Sequence, residues 1–231
     1  MALVTAALWL FPLALALAAC GGPAAPTPPA AARESTPGVA PKDKRPVIAA
    51  FGDSLTEGLG MDAGQTYPDH LQKALDRRGY AYRVVNLGVS GDTSTNGVAR
   101  VEGVAALKPA FVILELGAND GLRGLPVSVT RANLEKIVVR LQKGGANVLL
   151  AGMTLPPNYG PAYIRPFEAM YRELAAQYRT PLIGFLLDGV AGNPRLMQRD
   201  GLHPNAAGYP RVAENVLRVL EPLLRVRQSR P

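Results

Sequence analysis

Cysteine is almost missing from this chain. Cys20 is the only one in 231 residues, so no internal disulfide forms and the fold must stand on its hydrophobic core. Histidine is nearly as scarce, with His70 and His203 the only two. One thiol and two imidazoles offer no zinc spacing, and no metal or organic cofactor is implied. Internal repeats are absent. Acidic residues are outnumbered, since 25 Lys and Arg against 18 Asp and Glu give a formal charge of +7. The excess is scattered along helix candidates (Lys73, Arg77, Arg78; Arg131, Lys136, Arg140; Arg211, Arg218, Arg225). Scattered charge reads as solvated helix faces, not as a patch for nucleic acid, and no nucleic-acid partner is expected.

Charge is also missing from residues 1–19, which are mostly Leu and Ala and end in Leu17-Ala18-Ala19-Cys20-Gly21-Gly22. A short apolar run closing on small residues has the form of a secretory signal. Its Leu-Ala-Ala-Cys ending resembles the lipobox of bacterial lipoproteins, which implies that Cys20 becomes the acylated N-terminus. Three other readings stay open: cleavage to a soluble secreted protein, retention of the run as a membrane anchor, and an unmodified Cys20. Residues 20–45, rich in Pro and Ala, show no apolar periodicity and read as a semi-extended tether. The expected organisation is a signal peptide at 1–19, lipidated cysteine plus linker at 20–45, one folded domain at 46–226 and a tail at 227–231. Such a chain is exported and held at a membrane facing the periplasm or the cell exterior.

From residue 46 onward, strand and helix patterns alternate. Short apolar runs at 47–51, 83–87, 111–116, 148–151 and 181–185 suit buried strands. Helical spacing appears between them near 68–78, 96–107 and 162–178. A further helix carries Leu134, Ile137, Val138 and Leu141 and stops at Gly144-Gly145, and an amphipathic one carries Tyr209, Val212, Val216 and Leu220. This alternation predicts a doubly wound α/β domain, with about five parallel strands covered by helices on both faces. Ligands of such sheets bind beyond the C-terminal strand ends.

Four polar motifs follow apolar runs: Gly52-Asp53-Ser54-Leu55, Ser90-Gly91-Asp92-Thr93, Gly117-Ala118-Asn119-Asp120 and Asp200-Gly201-Leu202-His203. Ser54, Gly91 and Asn119 each come directly after a predicted strand and should reach one sheet edge. Ser54 is a candidate nucleophile, although Thr56 stands where a Gly-x-Ser-x-Gly elbow would need its second glycine. His203 precedes Pro204, which keeps it out of the following helix. Asp200 is placed to bend back onto its Nδ1 and leave Nε2 for Ser54. His70 opens a predicted helix and is expected on its surface. Gly91 lets a backbone N–H approach an oxyanion closely, and Asn119 adds a neutral amide donor. Taken singly, each motif is equally well a turn.

Together the four blocks resemble the SGNH (GDSL) hydrolase superfamily, named for its Ser, Gly, Asn and His, and the match runs from about residue 47 to 224. Residues 86–94, 115–124, 158–160 and 200–205 look like the bacterial multifunctional thioesterase, protease and lysophospholipase branch and its arylesterase relatives. The resemblance implies a flavodoxin-like fold, a catalytic set of Ser54, Asp200 and His203, and oxyanion donors at Ser54 N–H, Gly91 N–H and Asn119. The implied reaction is hydrolysis of carboxylic esters or thioesters through an acyl-serine, by a monomer acting on small or lipid-derived esters. Leu122 and Leu125, in a loop hinged by Gly121 and Gly124, are expected to line an acyl pocket. Two alternatives remain: a carbohydrate O-acetyl esterase on the same fold, and a non-catalytic tethered binding lipoprotein.

Overall fold

The computed structural model describes residues 43–228. The expected signal peptide, Cys20, nearly all of the expected linker and the last residues of the expected tail lie outside them. Five strands form one parallel sheet: β1 (Val47–Gly52), β2 (Arg83–Asn86), β3 (Phe111–Glu115), β4 (Asn147–Ala151) and β5 (Leu182–Ile183), in the order β2-β1-β3-β4-β5. Seven helices connect or follow them: α1 (Ser54–Glu57), α2 (Tyr67–Arg77), α3 (Ser94–Ala106), α4 (Ala118–Leu122), α5 (Val127–Lys143), α6 (Pro161–Tyr178) and α7 (Tyr209–Gln228). The doubly wound architecture expected from the strand–helix alternation is the one observed.

The sheet core is apolar on both faces, which is why its strands read as continuous rather than alternating runs. Ile48, Ala49, Ala50 and Phe51 of β1 and Val112, Ile113 and Leu114 of β3 have no exposed surface. Helix α2 packs on α7, while α5 packs on α3 and α6. The helices start on local signals: Thr66 with Asp69, and Thr93 with Asn96, form reciprocal capping boxes at α2 and α3. Each buried Leu or Phe on their inner faces contributes roughly 1.5–3 kcal/mol.

Differences from expectation lie at element ends. β5 is two residues long, because the chain leaves the sheet edge after Ile183 and the Gly152 carbonyl accepts from Leu186 N–H at 3.0 Å instead. Helix α7 continues to Gln228, two residues past the expected domain end. The last linker residues touch the domain: Arg45 pairs with Asp43 at 2.8 Å and with Asp76 of α2 at 3.4 Å. The short helices α1 and α4 stand where only turns were expected.

The order of strands reverses between β1 and β3, so the chain leaves β1 toward β2 on one side and returns to β3 on the other. Such a switch point opens a crevice at the C-terminal strand ends. β1 and β3 are in register there, Gly52 opposite Glu115. Glu115 is fully buried, and its Oε2 accepts from Asp53 N–H at 3.1 Å and from Thr56 Oγ1 at 2.8 Å. A Cβ on Gly52 would overlap both Thr56 Oγ1 and the Glu115 carboxyl, so only glycine fits at that strand end.

Burial, with Asp53 as the nearest charge, holds the Glu115 carboxyl well above the usual carboxylate range. The folded state therefore keeps a proton that the unfolded chain gives up above about pH 4.5, and stability falls as pH rises. Glu115→Gln removes this contribution. Denaturant-derived stability measured from pH 5 to 7 should fall less steeply for the variant, by up to about 1.4 kcal/mol per pH unit. Parallel slopes for the two proteins would contradict a buried neutral acid at this position.

Candidate active site

Ser54 is the first residue of α1, one step beyond the sheet edge. Asp53 caps that helix, its Oδ1 accepting from Leu55 N–H at 3.0 Å, and the cap turns the Ser54 hydroxyl out of the strand direction. Ser54 Oγ lies 2.9 Å from His203 Nε2, and His203 Nδ1 lies 2.6 Å from Asp200 Oδ2. The other Asp200 oxygen accepts from the backbone N–H of Leu202 at 2.9 Å and of His203 at 3.1 Å. Partial burial acts to raise the Asp200 pKa, but the His203 ring and these backbone donors outweigh it and hold the carboxyl below its ordinary value. An ionised carboxylate only accepts, so Nδ1 carries the ring proton and Nε2 is free to accept from Ser54.

The loop bearing His203 is fixed from several sides. Gln198 N–H donates to the His203 carbonyl at 2.8 Å, and Met197 bridges to Pro204. Gln198 Nε2 donates to the Leu59 carbonyl at 2.7 Å, tying this loop to the segment after α1. Asn205 Nδ2 donates to the carbonyls of Arg195 and Met197. The imidazole is thus placed by a knotted loop, at a sequence distance of 149 residues from the serine it meets. His70 sits half-buried on α2, away from this group of residues.

The turn at residues 89–92 faces the same crevice. Gly91 has φ of +80°, a left-handed conformation that L side chains rarely adopt. Four side chains hold the turn: Glu57 accepts from Ser90 N–H at 2.8 Å and from the Ser90 hydroxyl, and Arg123 donates to the Gly91 carbonyl at 2.9 Å. Arg100 bonds Asp92 Oδ2 at 2.6 Å, and Asn119 Nδ2 donates to the Asp92 carbonyl at 3.0 Å. Among the described residues the Gly91 N–H has no acceptor, so it is available to a ligand.

Asn119 lies on α4 just beyond β3. Asp120 beside it is buried and anchors the turn to α3, accepting from Ser94 N–H at 2.7 Å and from Thr130 Oγ1 at 3.3 Å. Asp53 Oδ2 accepts from Asn119 Nδ2 at 3.0 Å. Burial pushes the Asp53 carboxyl up to about 6, against the bonds from Leu55, Glu115 and Asn119 and the field of His203.

Ser54, Gly91, Asn119 and His203 open onto one cavity of about 680 Å³, within the range of about 300–1,000 Å³ usual for small-molecule sites. Its walls are apolar, with Leu55, Leu122, Met153, Leu155, Phe185 and Met197 prominent. Leu122 is therefore where the sequence placed it, but Leu125 is not among the lining residues. The chain forms the short helix α4 and then reverses at Gly124 (φ +65°), and Leu125 falls beyond the rim, its carbonyl accepting from Tyr163 OH. Nor is Gly121 a free hinge. It is buried, and a Cβ there would sit 2.7 Å from Leu155.

Glu57, Arg100 and Arg123 escaped the sequence reading. Each acts on the turn at residues 89–92 from another element, and no local pattern marks such a contact. Met153, Phe185 and Met197 line the cavity from connections that read only as loop or strand end; the density of apolar residues there (Met153, Leu155, Phe185, Leu187) was the available signal.

Comparison with known proteins agrees with this geometry. The GDSL-like Lipase/Acylhydrolase family pattern matches residues 50–211. Esterase TesA of Pseudomonas aeruginosa is 48% identical over 178 residues, 77% of this chain and 89% of that protein. Thioesterase 1/protease 1/lysophospholipase L1 of Escherichia coli K12 is 38% identical over 180 residues, 77% of this chain and 84% of the other. A crystal structure of TesA superposes with a TM-score of 0.75 at 47% identity, covering 77% of this chain and 99% of that one. The parallel sheet, the matched motifs and these relatives together establish that the chain belongs to the GDSL-like lipase/acylhydrolase (SGNH) family of esterases.

Proposed function

We propose that the chain hydrolyses carboxylic esters and thioesters through an acyl-serine, with Ser54 as nucleophile, His203 as base and Asp200 as its orienting partner. The observation that carries this reading is the Asp200–His203–Ser54 relay, closed at 2.6 and 2.9 Å beside an unspent backbone donor. Ser54 Oγ attacks the acyl carbon while His203 Nε2 takes its proton. The carbonyl electrons move to the oxygen, received by Ser54 N–H, Gly91 N–H and the Asn119 amide. The bond to the alcohol or thiol then breaks, and the leaving atom takes the proton from His203. Water, deprotonated by the same ring, attacks the acyl-enzyme and restores Ser54.

The apolar cavity favours an acyl chain over a sugar ring, and so an acyl-ester hydrolase over a carbohydrate O-acetyl esterase. Leu59 and Leu202 are exposed at its edge, which suits aryl and lipid-derived esters. The occupied relay and the paired loops argue against a purely binding role. Export with a lipid anchor at Cys20 belongs to the same proposal and rests on the Leu-Ala-Ala-Cys ending of the charge-free run.

Three outcomes are expected. On p-nitrophenyl esters from acetate to laurate, Ser54→Ala should lose activity by roughly 10³-fold or more; a folded variant that keeps wild-type rates would refute the nucleophile. Leu122→Ser should lower kcat/KM for the longer chains relative to acetate, by roughly tenfold for the best long ester; an unchanged chain-length profile would remove Leu122 from the acyl site. When the full chain is expressed in bacteria, Cys20→Ala should move it out of the membrane fraction, whereas unaltered fractionation would exclude anchoring through that thiol.

A further inference from the structure

Asn119 has two amide protons, and both are already engaged. Nδ2 donates to Asp53 Oδ2 and to the backbone carbonyl of Asp92, each at 3.0 Å. The orientation of the amide is unambiguous, because its oxygen turned that way would face a carbonyl that can never donate. An amide with no spare proton is not yet an oxyanion donor. If Asn119 is to receive developing charge, one of the two bonds must be exchanged for it.

The two bonds are unequal. A hydrogen bond to a carboxylate is about twice as strong as one between neutral groups, and burial sharpens the difference. The Asp92 carbonyl is therefore the partner that yields. Asp53 is suited to hold on: it is 1% exposed, its Oδ1 is fixed by Leu55 N–H, and its own N–H is bound to Glu115. One carboxyl oxygen and the backbone N–H of Asp53 are thus held independently of Asn119.

We propose that Asp53 is a positioning residue of the acyl-transfer site, a pivot that keeps one Asn119 proton while the other swings from the Asp92 carbonyl to the oxyanion. The inference rests on the reading of Asn119 as an oxyanion donor. It gives the buried acid of the Gly-Asp-Ser motif a task beyond capping α1. The groups around it agree: Glu115 from β3, neutral through burial, adds no competing charge, Tyr67 and Tyr209 face it as phenols held above their ordinary pKa, and His203 favours its ionised form. Arg100 from α3 is committed to Asp92 and to the Leu87 and Gly52 carbonyls.

The test is a double-mutant cycle on p-nitrophenyl butyrate with Asp53→Asn, Asp53→Ser and Asn119→Ala. Asparagine keeps the shape of Asp53 and removes its charge. Serine keeps an acceptor for Leu55 N–H and is too short to reach Asn119, so it separates capping from positioning. Both variants should lower kcat by roughly 10–100-fold with KM within about twofold, the pattern of an interaction made in the transition state. In the Asn119→Ala background, Asp53→Asn should cost less than about threefold. An equal cost in both backgrounds, or a loss confined to KM, would overturn the pivot while leaving Asn119 as a donor. Wild-type kcat in Asn119→Ala would instead refute the donor itself, and the pivot with it.

Discussion

The site depends on the parallel pairing of β1 with β3, which ends with Gly52 opposite Glu115. That register sets where two chain segments leave the sheet, and so how far the Ser54 turn lies from the Asn119 turn. Glycine at the end of β1 lets Thr56 and Glu115 fold in beneath it. The Asp53 N–H then lands on the Glu115 carboxyl and its side chain on Asn119. One strand register thus carries Ser54, the Asp53 cap of its helix and the Asn119 amide.

Holding two carboxyl groups together away from water is costly, and the arrangement accepts that cost on one side. Glu115 keeps its proton and serves as a neutral acceptor, while Asp53, nearer His203, retains the charge. Burial raises both acids, Asp53 to about 6 and Glu115 well above its ordinary value, and perturbed carboxyls of this kind are characteristic of sites with assigned roles. The turn at residues 89–92 is handled differently. Its polar groups are satisfied by Glu57, Arg100, Arg123 and Asn119, and a backbone donor is left unspent at Gly91. Pre-organised donors need no rearrangement when charge appears.

Much of this was legible in the sequence, for identifiable reasons. Strands β1, β3 and β4 are buried on both faces, so their apolar runs stand out without any alternation to decode. The starts of α2 and α3 were placed slightly late, because the caps Thr66 and Thr93 act through side chains three residues on. Ser54, Asn119 and the Asp200–His203 pair were visible because each sits in a polar motif directly after an apolar run or beside a proline. The edge strand β5 was overextended because the part-buried Phe185 faces the cavity, not the sheet. Leu125 was misplaced because a leucine in a loop carries no sign of the reversal at Gly124. Arg100 and Glu57 could not be read at all, since their partners lie in other elements.

The most direct measurement is covalent: treat the protein with an alkyl fluorophosphonate and locate the adduct by mass spectrometry of its peptides. A nucleophile activated by His203 predicts a single adduct, on Ser54, that forms in step with loss of esterase activity and is absent from His203→Ala. Loss of activity with the adduct on another residue, or hydrolysis that continues with Ser54 fully modified, would contradict the acyl-serine mechanism.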